Sequence, residues 1–353
     1  MFRFVRQPKG PTVKTPDVVF TLPRGVVVHG KVTEAGTGRP VAGARVEYSG
    51  QAMHRGTSKA DGSYVFAVPA DAKGPLTITA PTDDYIPQVV GSAEILGGLK
   101  GGDRVYYHAV VPLGLKPGDK EKEVPVVLHR GVTLKGRVVG PDGKPAKDAI
   151  LFVGEYRPPH EKVMHPIRVK DGRFELPGGD PEKTYRLVFI EHPERVVPMF
   201  GIEALNTYGQ LWQSALLGEH NKLGAVVEVS AKKAAAEPVE VRLAPCGSAK
   251  VRFVDAAGKP LAKHQPWVQL VVTTGPPVNQ AIREGKLAPE VVTLINQYDD
   301  ASEPHADADG VLTLKGLIPG ATYRIKHARL EGEVLKDFTA ESGKAVEVTV
   351  TVK

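Results

Sequence analysis

GRVVGPDGKPAKDA, residues 136–149, is a short alternating run, a Gly-rich turn, a proline and the start of a second run. The chain carries it three times. GKVTEAGTGRPVAGA at 30–44 and VRFVDAAGKPLA at 251–262 have the same order of parts. Each copy continues to an Asp-Gly pair followed by alternating apolar residues: Asp61-Gly62 before Tyr64 and Phe66, Asp171-Gly172 before Phe174 and Leu176, Asp309-Gly310 before Leu312 and Leu314. The shared prolines, Pro40, Pro145 and Pro260, stand 105 and 115 residues apart. That period is too long for a solenoid unit and suits a whole β-sandwich of roughly 100 residues.

A second recurring element marks the boundaries. Val18–Leu22 leads to Gly25, Val126–Leu128 to Gly131, and Val239–Leu243 to Gly247. Each reads as the last strand of one copy, a corner, and the first strand of the next. The expected organisation is an N-terminal extension over 1–24 ending in a strand, then sandwiches over 25–130, 131–245 and 246–353. Val18–Leu22 has no complete copy before it, which reads either as an N-terminal strand pairing with the edge of the first copy or, preferred, as a chain that begins inside a longer parent or descends from one that lost its upstream portion.

Within each copy a polar stretch (116–123, 231–237, 340–344) separates the closing strand from another alternating run (105–111, 225–229, 333–338), which reads as a hairpin. Adding 76–79, 185–190 and 323–326 gives about seven strands per copy, the count of a Greek-key sandwich. The fold class expected is all-β, three tandem sandwiches with short helical insertions. From the shared proline to Asp-Gly is 21, 26 and 49 residues in the three copies, so the third carries an insertion at about 274–306. There Val291, Leu294 and Ile295 keep helical spacing behind Pro289. The second copy carries its own insertion at about 190–224, where Leu205, Tyr208, Trp212 and Leu216 also keep helical spacing.

Composition agrees with many tight turns: 38 Gly and 30 Pro in 353 residues, with 41% hydrophobic residues and no collagen-like period. A net charge of +6 is spread over all copies, whereas nucleic-acid binding calls for a basic stripe beside stacking aromatics. The single cysteine, Cys246, allows no internal disulfide. No apolar run is long enough to span a membrane, and the first residues lack the apolar core of a signal peptide.

Catalytic signatures are sparse. There is no P-loop, no HExxH and no GxSxG elbow. His160 and His165 flank Glu161, a spacing too loose to read as a metal site. The acidic run from Asp299 to Asp309 lacks an EF-hand's ligand spacing, and its Asp309-Gly310 is already explained as a turn. No cofactor and no metal are expected, and no enzymatic activity. Trp212, Tyr208 and Tyr298 lie in the insertions, where binding residues tend to be placed, and are the candidate contacts for a glycan or peptide.

The pattern Gly-x-Val, Gly-x-Pro, Ala, then Asp-Gly-x-Tyr/Phe-x-Phe/Leu and a Tyr-x-Leu/Ile strand resembles the carboxypeptidase regulatory-like domain, a transthyretin-like (prealbumin-like) seven-stranded sandwich. The likeness covers 25–353; the third copy departs from it, with Lys263-His264 where Gly-Ala would fall. Runs such as 174–185 and 243–249 are similar to large multidomain proteins of planctomycete-type bacteria. The resemblance implies a non-catalytic accessory or spacer array in an extracytoplasmic setting, whose partners are other protein domains or cell-surface components, with glycan binding the alternative. The zinc peptidase machinery of metallocarboxypeptidases has no matching positions here.

Overall fold

The computed structural model describes residues 25–49, 51–146, 148–156, 167–191, 221–295, 305–327 and 333–352. Strands dominate, as expected. The first copy contains β1 (Val26–Glu34), β2 (Arg45–Tyr48), β3 (Gln51–Thr57), β4 (Ser63–Val68), β5 (Leu76–Thr79), β6 (Gln88–Gly91), helix α1 (Ser92–Gly97), β7 (Arg104–Tyr107), β8 (Ala109–Val111), β9 (Glu121–Glu123) and β10 (Val126–Leu128). The second holds β11 (Val132–Val139), β12 (Asp148–Val153), β13 (Ile167–Lys170), β14 (Arg173–Gly179), β15 (Thr184–Glu191), β16 (Leu223–Ser230), helix α2 (Ala231–Ala236), β17 (Val239–Arg242) and β18 (Ala244–Pro245). The third holds β19 (Gly247–Val254), β20 (Trp267–Thr273), helix α3 (Val278–Glu284), β21 (Glu290–Ile295), β22 (Val311–Leu317), β23 (Thr322–Lys326), β24 (Val334–Thr339) and β25 (Ala345–Thr351).

The copies share one topology. Sheet orders β10-β1-β4 and β3-β2-β5-β8 in the first match β22-β19-β25 and β21-β20-β23-β24 in the third. In the second the two halves join into one path, β17-β11-β14-β13-β12-β15-β16, through the Asp171-Gly172 hairpin. Asp171 and Gly172 both have positive φ, 49° and 69°, the two-residue turn that suits the twist of paired strands. Inward residues alternate along the outer-facing strands of the first copy: Val26, Val28 and Val32 on β1, with Tyr64 and Val68 on β4, are buried in the first core.

The closing strand does not form the expected hairpin. β10, β17 and β25 each run parallel to the first strand of their own copy, with Val32 opposite Val126, Val138 opposite Val241 and Phe253 opposite Val350. The alternating run before it (β8, β16 and β24) lies in the other half, so the polar stretch crosses between halves, and in the first copy it also forms β9 alongside β1. In this way the apolar side of the closing strand (Val126 and Leu128 in the first copy) fills the core beside β1.

Three further expectations are corrected. Residues 290–295 form a strand, not a helix. Val291, Val292, Thr293 and Ile295 are β-branched, and β20 offers backbone partners, with Leu270 opposite Val292. The stretch at 231–237, read as a turn, begins with α2: AKKAAA is rich in helix formers, and Ala231 and Ala234 are buried one turn apart. The run 105–111 breaks at His108, because β7 pairs with β6 while β8 pairs with β5. Residues 88–107 are therefore an insertion of the first copy. Val18–Leu22 and the helical spacing at 205–216 fall outside the described residues. Among the described residues no helix is long and apolar enough to cross a membrane.

Candidate functional site

Trp212, Tyr208 and Tyr298 lie outside the described residues, as do His160, Glu161 and His165. Trp267 is buried at the start of β20. Of the acidic run, Asp307 is a turn former: its Oδ1 accepts the N–H groups of Asp309 (3.0 Å) and Val311 (2.9 Å). Cys246 is pushed up to about 12 by burial, which keeps it a protonated thiol at neutral pH. Among the described residues no group of three or more His, Cys, Asp or Glu side chains is placed to hold a metal ion.

Among the described residues, a polar cluster that the sequence reading missed draws on all three copies. Glu290, at the first position of β21, is 5% exposed. Its Oε2 accepts the hydroxyl of Thr273 (2.7 Å) and the backbone N–H of Glu155 from the second copy (2.8 Å). Its Oε1 accepts the hydroxyl of Tyr106, from the first copy's insertion. Two residues before Tyr106, on the same strand, Arg104 donates Nε to the carbonyl of Ala288 (2.9 Å) and Nη2 to that of Thr274 (3.4 Å). Its Nη1 reaches Glu155 Oε1 at 3.4 Å, and its side chain is only 8% exposed. Glu155 itself adopts φ 60°, a left-handed conformation unusual for a residue with a β-carbon. Such placement turns its N–H onto the Glu290 carboxylate.

Backbone contacts reinforce this node. Gly102 donates to Lys286 O (3.0 Å) and accepts from Ala288 N–H (2.8 Å), a parallel bridge between the first and third copies. A β-carbon on Gly101 would stand 2.4 Å from Ala281 O and 2.6 Å from Lys286 O, so only glycine permits the approach to α3. The sequence signal was the double pair Gly97-Gly98 and Gly101-Gly102 ahead of an alternating Arg104 and Tyr106.

Beside the corner into the second copy, the first copy holds a polar cluster around Glu34. Its carboxylate pairs with Arg39 (2.8 Å) and Arg130 (3.0 Å), and Arg130 stacks over Tyr85, 5.1 Å from the ring centre. Hydrogen bonds from Arg39 first and Arg130 second hold the Glu34 carboxyl at about 2. Ile86 N–H donates to His129 O (2.8 Å) and Gly131 N–H to Asp84 O (2.7 Å), so the corner at Gly131 is bonded into its neighbour.

The second and third copies share apolar surface. On β12, Leu151 and Val153 belong to the second core, while Ile150 and Phe152 join the cluster of Val268, Leu270 and Tyr323 in the third. On β15, Leu187 and Phe189 divide from Val188 and Ile190 in the same way. Alternate side chains of one sheet thus serve two cores, the pattern behind a continuous apolar run in place of alternation.

No protein-family model matches the chain, and no curated protein matches it. The resemblance to carboxypeptidase regulatory-like domains therefore stands on the motifs of the three copies. Among solved structures, the chain is similar to the Bacillus anthracis TIE protein at 11% identity and TM-score 0.19, with 94% of this chain and 51% of that one covered. It therefore spans about half the length of that structure. A Streptococcal ancillary pilin is 14% identical with TM-score 0.22 over 93% of this chain and 99% of that one. GBS52, the minor pilin of Streptococcus agalactiae, is 12% identical with TM-score 0.24 over 63% and 95%.

Proposed function

We propose that this chain is a non-catalytic structural and interaction module, in which sandwiches bounded at about 25–130, 131–245 and 246–353 form one rigid platform for docking other protein domains or cell-surface components. One observation carries the reading: the Glu290 carboxylate of the third copy is bonded by Tyr106 of the first and by the Glu155 N–H of the second. Tandem domains reorient by default unless their interface is large and apolar. Here the second and third copies share an apolar cluster, and the first is tied to both by polar bonds. An extended arm has no use for contact between its first and third members; a platform of fixed shape does. The polar groups of the node are engaged in holding backbone and side chains together, which supports a structural role. The extracytoplasmic setting rests on the motif resemblance alone.

Small-angle scattering at low protein concentration tests this. A platform gives a radius of gyration of about 20–24 Å, whereas three such copies in line give about 30 Å. The larger value would overturn the proposal.

A further inference from the structure

Each closing strand bonds the first strand of its copy along one edge and turns alternate backbone groups to the other. Val124 N–H donates to His29 O and Ala35 N–H to Leu128 O, so Pro125, Val127 and His129 turn away from β1. Leu243 N–H donates to Val139 O, which turns Pro238, Glu240, Arg242 and Ala244 away from β11. In the third copy Ser248 N–H donates to Lys344 O and Val352 N–H to Val254 O, so Ala345, Glu347, Thr349 and Thr351 turn away from β19.

Two of these edges are blocked. Pro125 has no N–H to offer, and His129 O already accepts the Ile86 N–H (2.8 Å). Pro238 blocks the second edge likewise, and Ala244 pairs with Gly224 of β16. β25 has neither device. It runs for seven residues without a proline, and its four outward residues are exposed. Among the described residues their outward N–H and C=O groups have no backbone partner. An edge of this kind is a template for an added strand.

A second difference says what that strand carries. Arg137 on β11 and Arg252 on β19 hold equivalent places, each just before the residue whose N–H bonds the Asp-Gly glycine. Arg137 lies opposite Glu240 of its closing strand and pairs with it at 2.5 Å. Arg252 lies opposite Thr349 instead and has no ion pair among the described residues. A carboxylate one strand further out would stand about 9.5 Å away between β-carbons, two strand spacings. Extended arginine and glutamate side chains cover that span over the short threonine. Resting on the platform reading above, in which the chain docks other proteins, we infer that β25 accepts an extended segment of a partner protein as an antiparallel added strand. The segment carries Glu or Asp opposite Thr349, within reach of Arg252, and a neutral or basic residue opposite Glu347.

Facing pairs at Glu347, Thr349 and Thr351 give about six main-chain hydrogen bonds, two per pair. Main-chain bonds supply the affinity of such complexes and the alternate side chains their selectivity, so a dissociation constant of about 10–100 µM is expected.

Fluorescence polarisation of the labelled peptide SVTVEVKVS, titrated with the full chain, tests this. Its Thr, Glu and Lys fall opposite Thr351, Thr349 and Glu347 in the antiparallel register. Thr349→Pro, which copies Pro125 at the equivalent place, is expected to weaken binding at least about tenfold. The Thr349 N–H points away from β19, so the ladder to β19 keeps its bonds, and far-ultraviolet circular dichroism checks the fold. The same peptide N-methylated at its glutamate should lose binding equally on the unaltered chain. Glutamine for that glutamate, or Arg252→Gln, should each weaken binding about two- to fivefold, and the two together no further, as for an exposed ion pair. No binding at about 1 mM chain, binding indifferent to Thr349→Pro or to N-methylation, or equal affinity for the glutamine peptide would each overturn the inference. A chain whose scattering is compact but which ignores the peptide would refute the edge and leave the platform; an extended chain that binds it at β25 would do the reverse.

Discussion

Pro145 lies directly against Gly172: a β-carbon on Gly172 would stand 2.8 Å from Pro145 Cβ and 2.8 Å from the Val138 carbonyl oxygen. Pro40 meets Gly62 in the same way (3.1 Å) and Pro260 meets Gly310 (3.3 Å). In all three copies the glycine carbonyl also accepts an N–H from the first strand: Val32 (2.9 Å), Val138 (2.7 Å) and Phe253 (2.8 Å). The proline and the Asp-Gly recur together because they are two halves of one contact.

Gly172→Ala is accordingly expected to destabilise the second copy by about 2–4 kcal/mol, combining left-handed strain at φ 69° with steric overlap. Chemical denaturation gives the value. Gly36→Ala, also at positive φ (75°) but with nothing within 4 Å, is the control, and it is expected to lose only the conformational part, about 1–2 kcal/mol.

Tyr106→Phe removes a hydroxyl bonded to the Glu290 carboxylate without changing the ring. The expected cost is about 1.5–3 kcal/mol, typical of a hydrogen bond to a charged group. Hydrogen exchange of Gly102 and Ala288 amides should accelerate together, reporting release of the first copy from the third. Unchanged exchange would mean that the backbone bridge holds by itself.

Phe152→Ala is expected to cost about 3–5 kcal/mol, as for a buried aromatic. Because Phe152 belongs to the cluster shared with the third copy, calorimetry should show the second and third copies parting into separate transitions. A single sharper transition at lower temperature would argue that the copies unfold as one.

Glu34 gives the acid response of the first copy. Its carboxyl is depressed in the folded chain, from an ordinary 4.5 to about 2, by Arg39 and then Arg130. Its contribution is therefore complete above pH 4.5 and is lost as pH falls toward 2. Glu34→Gln should flatten the fall in melting temperature across that window and leave the neutral-pH slope unaltered. An equal fall in both proteins would assign acid sensitivity elsewhere.

The repeat made the strands and turns legible, since Pro40, Gly62 and their counterparts are local marks of one distant contact, but not the pairing of the closing strands. What it hid were interactions between copies. The spacing of Val291, Leu294 and Ile295 satisfies a helix and a strand alike, and only β20 beside it decides. Arg104 and Tyr106 sit in a stretch of the first copy outside the repeated motifs, so self-comparison gave them no weight. Ile150 and Phe152 were not singled out, because which neighbour covers them depends on chain packing. The binding contacts expected at Trp212, Tyr208 and Tyr298 fall outside the described residues.

The parallel pairing of each closing strand with the first strand of its own copy also governs how the molecule is made. Val32 waits for Val126, Val138 for Val241 and Phe253 for Val350, nearly the whole length of a copy away. Pairing at such separation closes a large loop before any reward, which slows folding. A nascent chain leaving the ribosome therefore cannot seal its first sandwich until about the position where the second begins. Synthesis imposes the sequence of events: first sandwich, second, then third, whose Glu290 leaves the ribosome before the closing strand at Ala345–Thr351 that seals it.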